Sequence, residues 1–433
     1  MTSPDASTAR FNRNCALIGL FFLLISVGAK TAWYEHRGLP QSPDFPQYYM
    51  AGRIALAGAW DSLYPIPKAT SRTNPGAWVD SDMRPRYAQL CAQAELSPAA
   101  NRYIQPPPLA LLLIPLALIP AGLSYWLWLI LLAFAAWGVG LEAAKIYSLS
   151  RDRIDRVAGI LTLLICISPQ AFRWVRVANM SVLVGWLIGY ATLELARRDS
   201  VRGAAALALG TLAKYAVIVL VPLHLVMGRW RTVAMAAVMG VAMVGVSLLV
   251  MGMGPFHVFS HEIAPTLGRT VLMSENFSLY AFLLRFDGIK DERAMPRTME
   301  ILFRLLEIAS VSGILLIVWI KRPAIRAEPR FVFAAALALV SWLLIFSPIF
   351  WEHYHAYLAP FWGWLVAEAM QSRGRFIAAL VAMVLAYVPV TIAARQLHLP
   401  ELPEPFYSHL LWATVLMGLL AVVSLWTARV GEA

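Results

Sequence analysis

Apolar runs of roughly 15–22 residues recur along this chain, and each is long enough to carry a helix across about 30 Å of hydrocarbon. They fall at 15–33, 121–142, 157–171, 180–196, 203–213 with 215–227, 232–253, 301–320, 331–347, 354–370, 376–394 and 408–428. Counting the split run as two gives about twelve spans. Lipid cannot satisfy an open sheet edge, and the runs are continuous rather than alternating, so the spans are helices and not barrel strands. The expected fold class is an all-α polytopic membrane protein, a single helical bundle over 1–433 with broken or short helices among its spans and loop helices on its outer face. With 59% hydrophobic and only 14% charged residues, against about 25% charged in soluble domains, an ordinary cytosolic enzyme is excluded.

The formal net charge of +11 would suggest nucleic acid in a soluble protein, but the Lys and Arg residues lie mostly between the apolar runs. They report topology, and no nucleic-acid partner is expected. Short loops on one side collect Lys145, Arg151, Arg153, Arg156, Arg197 and Arg229, so the positive-inside rule places both termini in the cytoplasm. The first run follows Arg10 and Arg13, lacks a convincing cleavage site, and reads as an uncleaved span. Segments 34–104 and 254–300 are then outside, where function should be sought. Pro106–Pro120 is too short to span and is expected at the outer interface or as a re-entrant helix. Cys15, Cys91 and Cys166 stand at unrelated positions and suggest neither a disulfide framework nor a thiolate metal site.

Several residues could carry chemistry. Asp44, in SPDFPQYYMAGRIALAGAWDSLYP, is placed to take a proton from a hydroxyl nucleophile at the boundary of water and lipid; it could equally be the N-cap of a helix with Pro46 in its first turn. Lys214 separates two half-length apolar pieces, a pattern that lines a site or cavity, unless the side chain only snorkels to the interface. Arg173, Arg176 and Arg285 could join it around a phosphate or diphosphate headgroup. His353 and His355 are two residues apart, about 200° around a helix, and cannot chelate one metal as an i,i+4 pair would. A lone histidine beside Glu352 could instead face substrate, or be an interfacial structural residue. Asp80-Ser81-Asp82 is a weak DxD pattern, His261-Glu262 lacks the second histidine of a zinc site, and no metal site is expected. Asn179-Met180-Ser181 and Asn276-Phe277-Ser278 match the N-glycosylation pattern.

In order along the chain, DFPQYYMAGRIALAGAWDSLY, YIQPPPLALLLIPLALIP, NFSLYAFLLR and SPIFWEHYHAYLAP resemble the segments of glycosyltransferase family 87, which includes polyprenol-phosphate-mannose-dependent alpha-(1,2)-mannosyltransferases. The resemblance runs from about residue 44 to residue 360. It departs from the family pattern at three places: Lys214-Tyr215 stands for Lys-Pro, Ala178-Asn179 for Gly-Gln, and His353-Tyr354 for His-His. What it implies is a GT-C architecture, a polyprenyl-phosphate-linked hexose donor with mannose favoured, a glycolipid or glycan acceptor, and neither metal nor cofactor. It assigns Asp44 as general base of an inverting transfer at the outer face of a bacterial plasma membrane. Lys214, Arg173 and Arg176 would hold the donor phosphate, and His353, Tyr48, Tyr49, Asn276 and Glu352 would position substrate. The competing reading is a lipid or solute transporter or flippase, which the broken segment at Lys214 also suits.

Overall fold

A computed structural model describes residues 5–37, 44–64, 84–96, 103–267, 276–286, 297–387 and 408–428. The described residues are overwhelmingly helical, with a single antiparallel bridge between Asn276 and Trp351.

A long first helix, α1 (Ala6–Arg37), leads to three shorter ones, α2 (Phe45–Leu56), α3 (Pro85–Gln93) and α4 (Pro107–Leu112), and then to the single turn α5 (Ile114–Ala117). Pro106–Pro120 therefore does not span, as its length required. Helix α6 (Ala121–Arg151) continues well past the apolar run and stops at Asp152, whose φ of 51° ends it. The expected span 157–171 is a bent pair, α7 (Arg156–Cys166) and α8 (Pro169–Val177), which meet at 46°. The bend follows from Ser168-Pro169: the serine side chain caps α8 by accepting from Ala171 N, and the proline cannot continue α7.

Helices α9 (Ser181–Arg197) and α10 (Val201–Ala213) follow. Lys214 is extended, and a 3-10 turn (Tyr215–Leu220) then enters α11 (Val221–Val226), so the break expected at Lys214 is present. Beyond it lie α12 (Trp230–Met251), the short α13 (Gly254–Val258) and α14 (Ala264–Leu267), α15 (Leu279–Phe286), α16 (Arg297–Ile320), α17 (Arg322–Ala327) and α18 (Pro329–Phe346). The run 354–370 is not one continuous helix; 3-10 turns at 352–357 and 359–361 precede α19 (Trp362–Ala369). Helices α20 (Arg373–Tyr387) and α21 (His409–Thr427) complete the bundle.

Among the described residues six helices are long and apolar enough to cross a membrane, or seven if the bent pair counts as one span; the other apolar runs there are built from shorter helices. The chain is an all-α polytopic membrane protein. Its centre is α18, with 72% of its apolar window buried, whereas only 6% of that of α12 is covered by protein. In lipid that difference marks α12 as peripheral, since hydrocarbon solvates an apolar helix as well as a neighbouring helix does.

Close helix contacts set up the site. Gly185 and Gly189 form a small-xxx-small face on α9, against which Ala356 and Pro360 of the 3-10 turns pack. A Cβ at Gly185 would overlap the Ala356 carbonyl. Gly185→Ala is therefore expected to destabilise the protein by about 1–3 kcal/mol through overpacking, whereas Gly240→Ala on α12, which meets nothing within 4 Å, should be tolerated. Paired thermal melts of the two variants check this.

Candidate active site

Asp44 lies just beyond α1, Ser181 starts α9, Lys214 ends α10 and the 351–357 turn follows α18, so these positions meet at one end of the bundle. Asp44 occupies the N-terminal edge of α2, with Pro46 in the first turn, but its side chain does not cap the helix. Instead Oδ1 accepts from Gln47 Nε2 at 3.2 Å and Oδ2 accepts from Asn179 Nδ2 at 3.0 Å. The carboxylate is 8% exposed, low enough for partial desolvation yet open to a hydroxyl.

Asn179 is set by the residue before it. Ala178 ends α8 at φ 55°, and its carbonyl accepts from Trp128 Nε1 at 2.8 Å. A non-glycine residue in this left-handed region costs roughly 1–2 kcal/mol. Asn179 Oδ1 accepts from Ser181 N (3.0 Å) and from Ser181 Oγ (2.7 Å), and Ser181 Oγ accepts from Lys214 Nζ at 2.8 Å. A carboxylate can only accept, so the amide must turn its NH2 to Asp44 and its oxygen to Ser181. The result is a hydrogen-bond chain running from the Lys214 ammonium through Ser181 and Asn179 to the Asp44 carboxylate. Every donor in it points towards the acid, an arrangement in which the bonds polarise one another.

Lys214 is itself 8% exposed, and its Nζ lies 4.0 Å from the centroid of the Tyr354 ring, which stacks on Tyr357 at 5.5 Å. His353 packs edge-on against Tyr354 at 4.8 Å. Beside it, Arg173 of α8 pairs with Glu352, Nη2 to Oε2 2.7 Å. Tyr48 accepts from Met180 N at 3.4 Å and packs on Trp128; burial, then Asp44, pushes its phenol well above the usual range, so it stays neutral. Asp44, Tyr48, Arg173, Lys214, Glu352 and His353 thus come together.

The remaining candidates lie elsewhere or serve the frame. Tyr49 donates to the Ile119 carbonyl at 3.0 Å and lines a separate cavity of about 500 Å³ with Arg53 and Glu95. Arg176 is exposed on the next turn of α8. Asn276 is fully buried: Nδ2 donates to Pro348 O at 2.9 Å and Oδ1 accepts from Phe350 N at 2.8 Å, which fastens the start of α15 to the turn carrying Glu352 and His353. Arg285 donates to the Asn276 carbonyl at 2.9 Å rather than facing Lys214. Asp80 and Asp82 lie outside the described residues. Among the described residues no three His, Cys, Asp or Glu side chains group to hold a metal ion.

Sequence reasoning gave no role to Gln47, Ser181 or Tyr354, and met Asn179 only in a glycosylation pattern and as a departure from the family's Gly-Gln. In both Asn-x-Ser segments the asparagine Oδ1 accepts from the backbone N–H two residues on, at 3.0 Å from Ser181 and 3.2 Å from Ser278. These are Asx turns at the starts of α9 and α15. Asn-x-Ser directly before an apolar helix was the signal that could have found them.

The model of glycosyltransferase family 87 matches residues 103–348, more than half of the chain. The chain belongs to glycosyltransferase family 87. No curated protein matches it. The family 87 match holds Arg173, Arg176, Asn179, Ser181, Lys214 and Asn276, whereas Asp44, Tyr48, Glu352 and His353 stand outside it and rest on the geometry.

Burial first, then Lys214 and Arg173, hold the His353 imidazole well below the usual histidine range, so it is neutral at pH 7. The unfolded chain takes up a proton there near pH 6.5 that the folded protein refuses. Stability is therefore expected to fall as pH drops below about 6.5, and His353→Gln should flatten that slope in melts recorded between pH 5 and 8; an unchanged slope would show that His353 is protonated in the folded state.

Proposed function

We propose that this membrane glycosyltransferase is an inverting hexosyltransferase. It takes its sugar, with mannose favoured, from a polyprenyl-phosphate donor and passes it to a hydroxyl of a glycolipid or polysaccharide on the outer face of a bacterial plasma membrane, with both chain termini in the cytoplasm. The observation that carries this reading is the hydrogen-bond chain joining Asp44 to Lys214. It pairs a partly desolvated acid with a cation held beside it.

In this mechanism Asp44 takes the proton of the acceptor hydroxyl as its oxygen attacks the anomeric carbon. The bond from that carbon to the phosphate oxygen breaks, and its electron pair leaves with the polyprenyl phosphate. Lys214 stabilises the charge that develops there. Its ammonium has three N–H groups, one engaged by Ser181 and one face by the Tyr354 ring, which leaves donor capacity for a phosphate oxygen. Arg173 adds a guanidinium that already meets Glu352, and Arg176 an exposed one at the approach. His353, being neutral, orients donor or acceptor by hydrogen bonding, with Tyr48 and Glu352; Tyr49 and Asn276 act through the frame. A fixed cation at the leaving group does the work that a divalent ion does elsewhere, so no metal is required.

The test is transfer of radiolabelled sugar from a panel of polyprenyl-phosphate sugars by purified protein, with membrane glycolipids as acceptors and EDTA present. Asp44-dependent, EDTA-resistant transfer is expected. The helix break at Lys214 favours one other reading, transport through a midplane site. Lipid phosphate bound without transfer from any donor, together with flipping in vesicles, would establish that reading instead.

A further inference from the structure

At the end of the bundle away from Asp44, a cavity of about 450 Å³ opens between α1, α6, α7 and α9. Its place follows from chain direction: α1 starts there and runs towards the Asp44 end, and α6 starts two residues after Ile119, whose carbonyl Tyr49 of α2 holds, and ends there. Three cations from three helices line it, Arg13, Lys145 and Arg197, above an apolar wall that includes Trp137, Leu141 and Ile154. No carboxylate is among the lining residues. The acids nearby are engaged behind the cations: Glu142 meets Lys145 at 3.0 Å, Glu194 meets Arg197 at 3.7 Å, and Asp155 meets Arg153 at 2.9 Å.

Both edges of the cavity are pinned. Asn12 donates to the Asp155 carbonyl at 2.9 Å and accepts from Gly159 N at 3.1 Å, while Trp137 Nε1 donates to the Ala16 carbonyl at 3.0 Å. A side chain on Gly159 would collide with Asn12. The opening is therefore built into the helix packing, with its cations at the rim and its apolar wall leading into the bundle.

We infer that this cavity binds one anionic phospholipid, its phosphate among Arg13, Lys145 and Arg197 and the upper part of its acyl chains against the Trp137–Leu141 wall. The chemistry selects for net negative charge. Three cations against the two acids that pair with Lys145 and Arg197 leave a net positive rim, which repels the cation of a zwitterionic headgroup and attracts an anionic one, by at most roughly fivefold in affinity per basic residue. The apolar wall selects a lipid over a free phosphate. The inference does not depend on the transfer chemistry proposed for Asp44, since no residue is shared.

The experiment is native mass spectrometry of the purified full chain with added phosphatidylglycerol, phosphatidylcholine or inorganic phosphate. Wild type should retain one phosphatidylglycerol in clear preference to phosphatidylcholine. The triple variant Arg13→Gln/Lys145→Gln/Arg197→Gln should lose the preference, Ala144→Phe should lose the adduct by filling the cavity with all charges kept, and Arg86→Gln, on α3 against α2 at the opposite end of the bundle, should behave as wild type. Equal retention of the two lipids by wild type would overturn the proposal even if the variants fail to fold. So would a preference that survives both cavity variants, or inorganic phosphate that displaces the lipid at equal concentration.

Discussion

Asp44→Asn is expected to fold and to bind donor while sugar transfer falls about 100- to 10,000-fold, the usual contribution of a general base. The amide nearly keeps the carboxylate's shape but cannot take the acceptor's proton. It also cannot accept from both of its present donors, Gln47 Nε2 and Asn179 Nδ2, so one donor is left facing an NH2 at a cost of about 1–3 kcal/mol. That stability loss can be separated from the catalytic one. In the double variant Asp44→Asn/Asn179→Asp, donor and acceptor are exchanged across the same contact, so hydrogen bonding is restored while the charge moves to the other side chain. Melting temperature should recover and transfer should not. Single-turnover rates and melts on the same preparations check both, and residual transfer within a few-fold of wild type would remove Asp44 as the base.

Lys214→Met should lower transfer by about 100- to 1,000-fold, the loss seen when one preorganised donor to a developing negative charge is removed. Methionine fills the space over Tyr354 but supplies no charge, and it leaves Ser181 Oγ without the Nζ that now donates to it at 2.8 Å. Unlike Asp44→Asn, it should also weaken binding of polyprenyl-phosphate sugar, because the phosphate is charged before it leaves. Titration of donor binding alongside turnover distinguishes the two roles. Unchanged values of both would take Lys214 out of the site.

The hydrophobic pattern carried most of the fold. Long runs such as 301–320 and 331–347 became α16 and α18 with their ends displaced by only a few residues. Where a run contained Ser-Pro or Ala-Pro, apolarity over a window could not show that the backbone turns. Hence 157–171 is bent and 354–370 opens in 3-10 turns. At the site, Asp44 and Lys214 were legible because a charge beside an apolar run is costly without a purpose. Their connection was not, since Asn179 and Ser181 are small polar residues whose role depends on the left-handed turn at Ala178. The three departures from the family pattern prove to be neighbours: Asn179 reaches Lys214 through Ser181, and Tyr354 lies under the same ammonium. Spacing in sequence gave no hint of that shared address.

The ion pair between Arg173 and Glu352 has a consequence for what leaves the site. Two anions, Asp44 and Glu352, stand with two cations, Lys214 and Arg173, so these four side chains sum to zero before donor arrives. On the proposed reaction the proton taken from the acceptor stays on Asp44 and the four sum to plus one, just as the phosphate changes from a singly charged diester to a more highly charged monoester. The protein's grip is then stronger on the spent carrier than on the loaded one. On that proposal, the loss of the proton from Asp44 that readies the site for the next cycle also returns the four side chains to zero, so resetting the base and loosening the spent carrier are coupled.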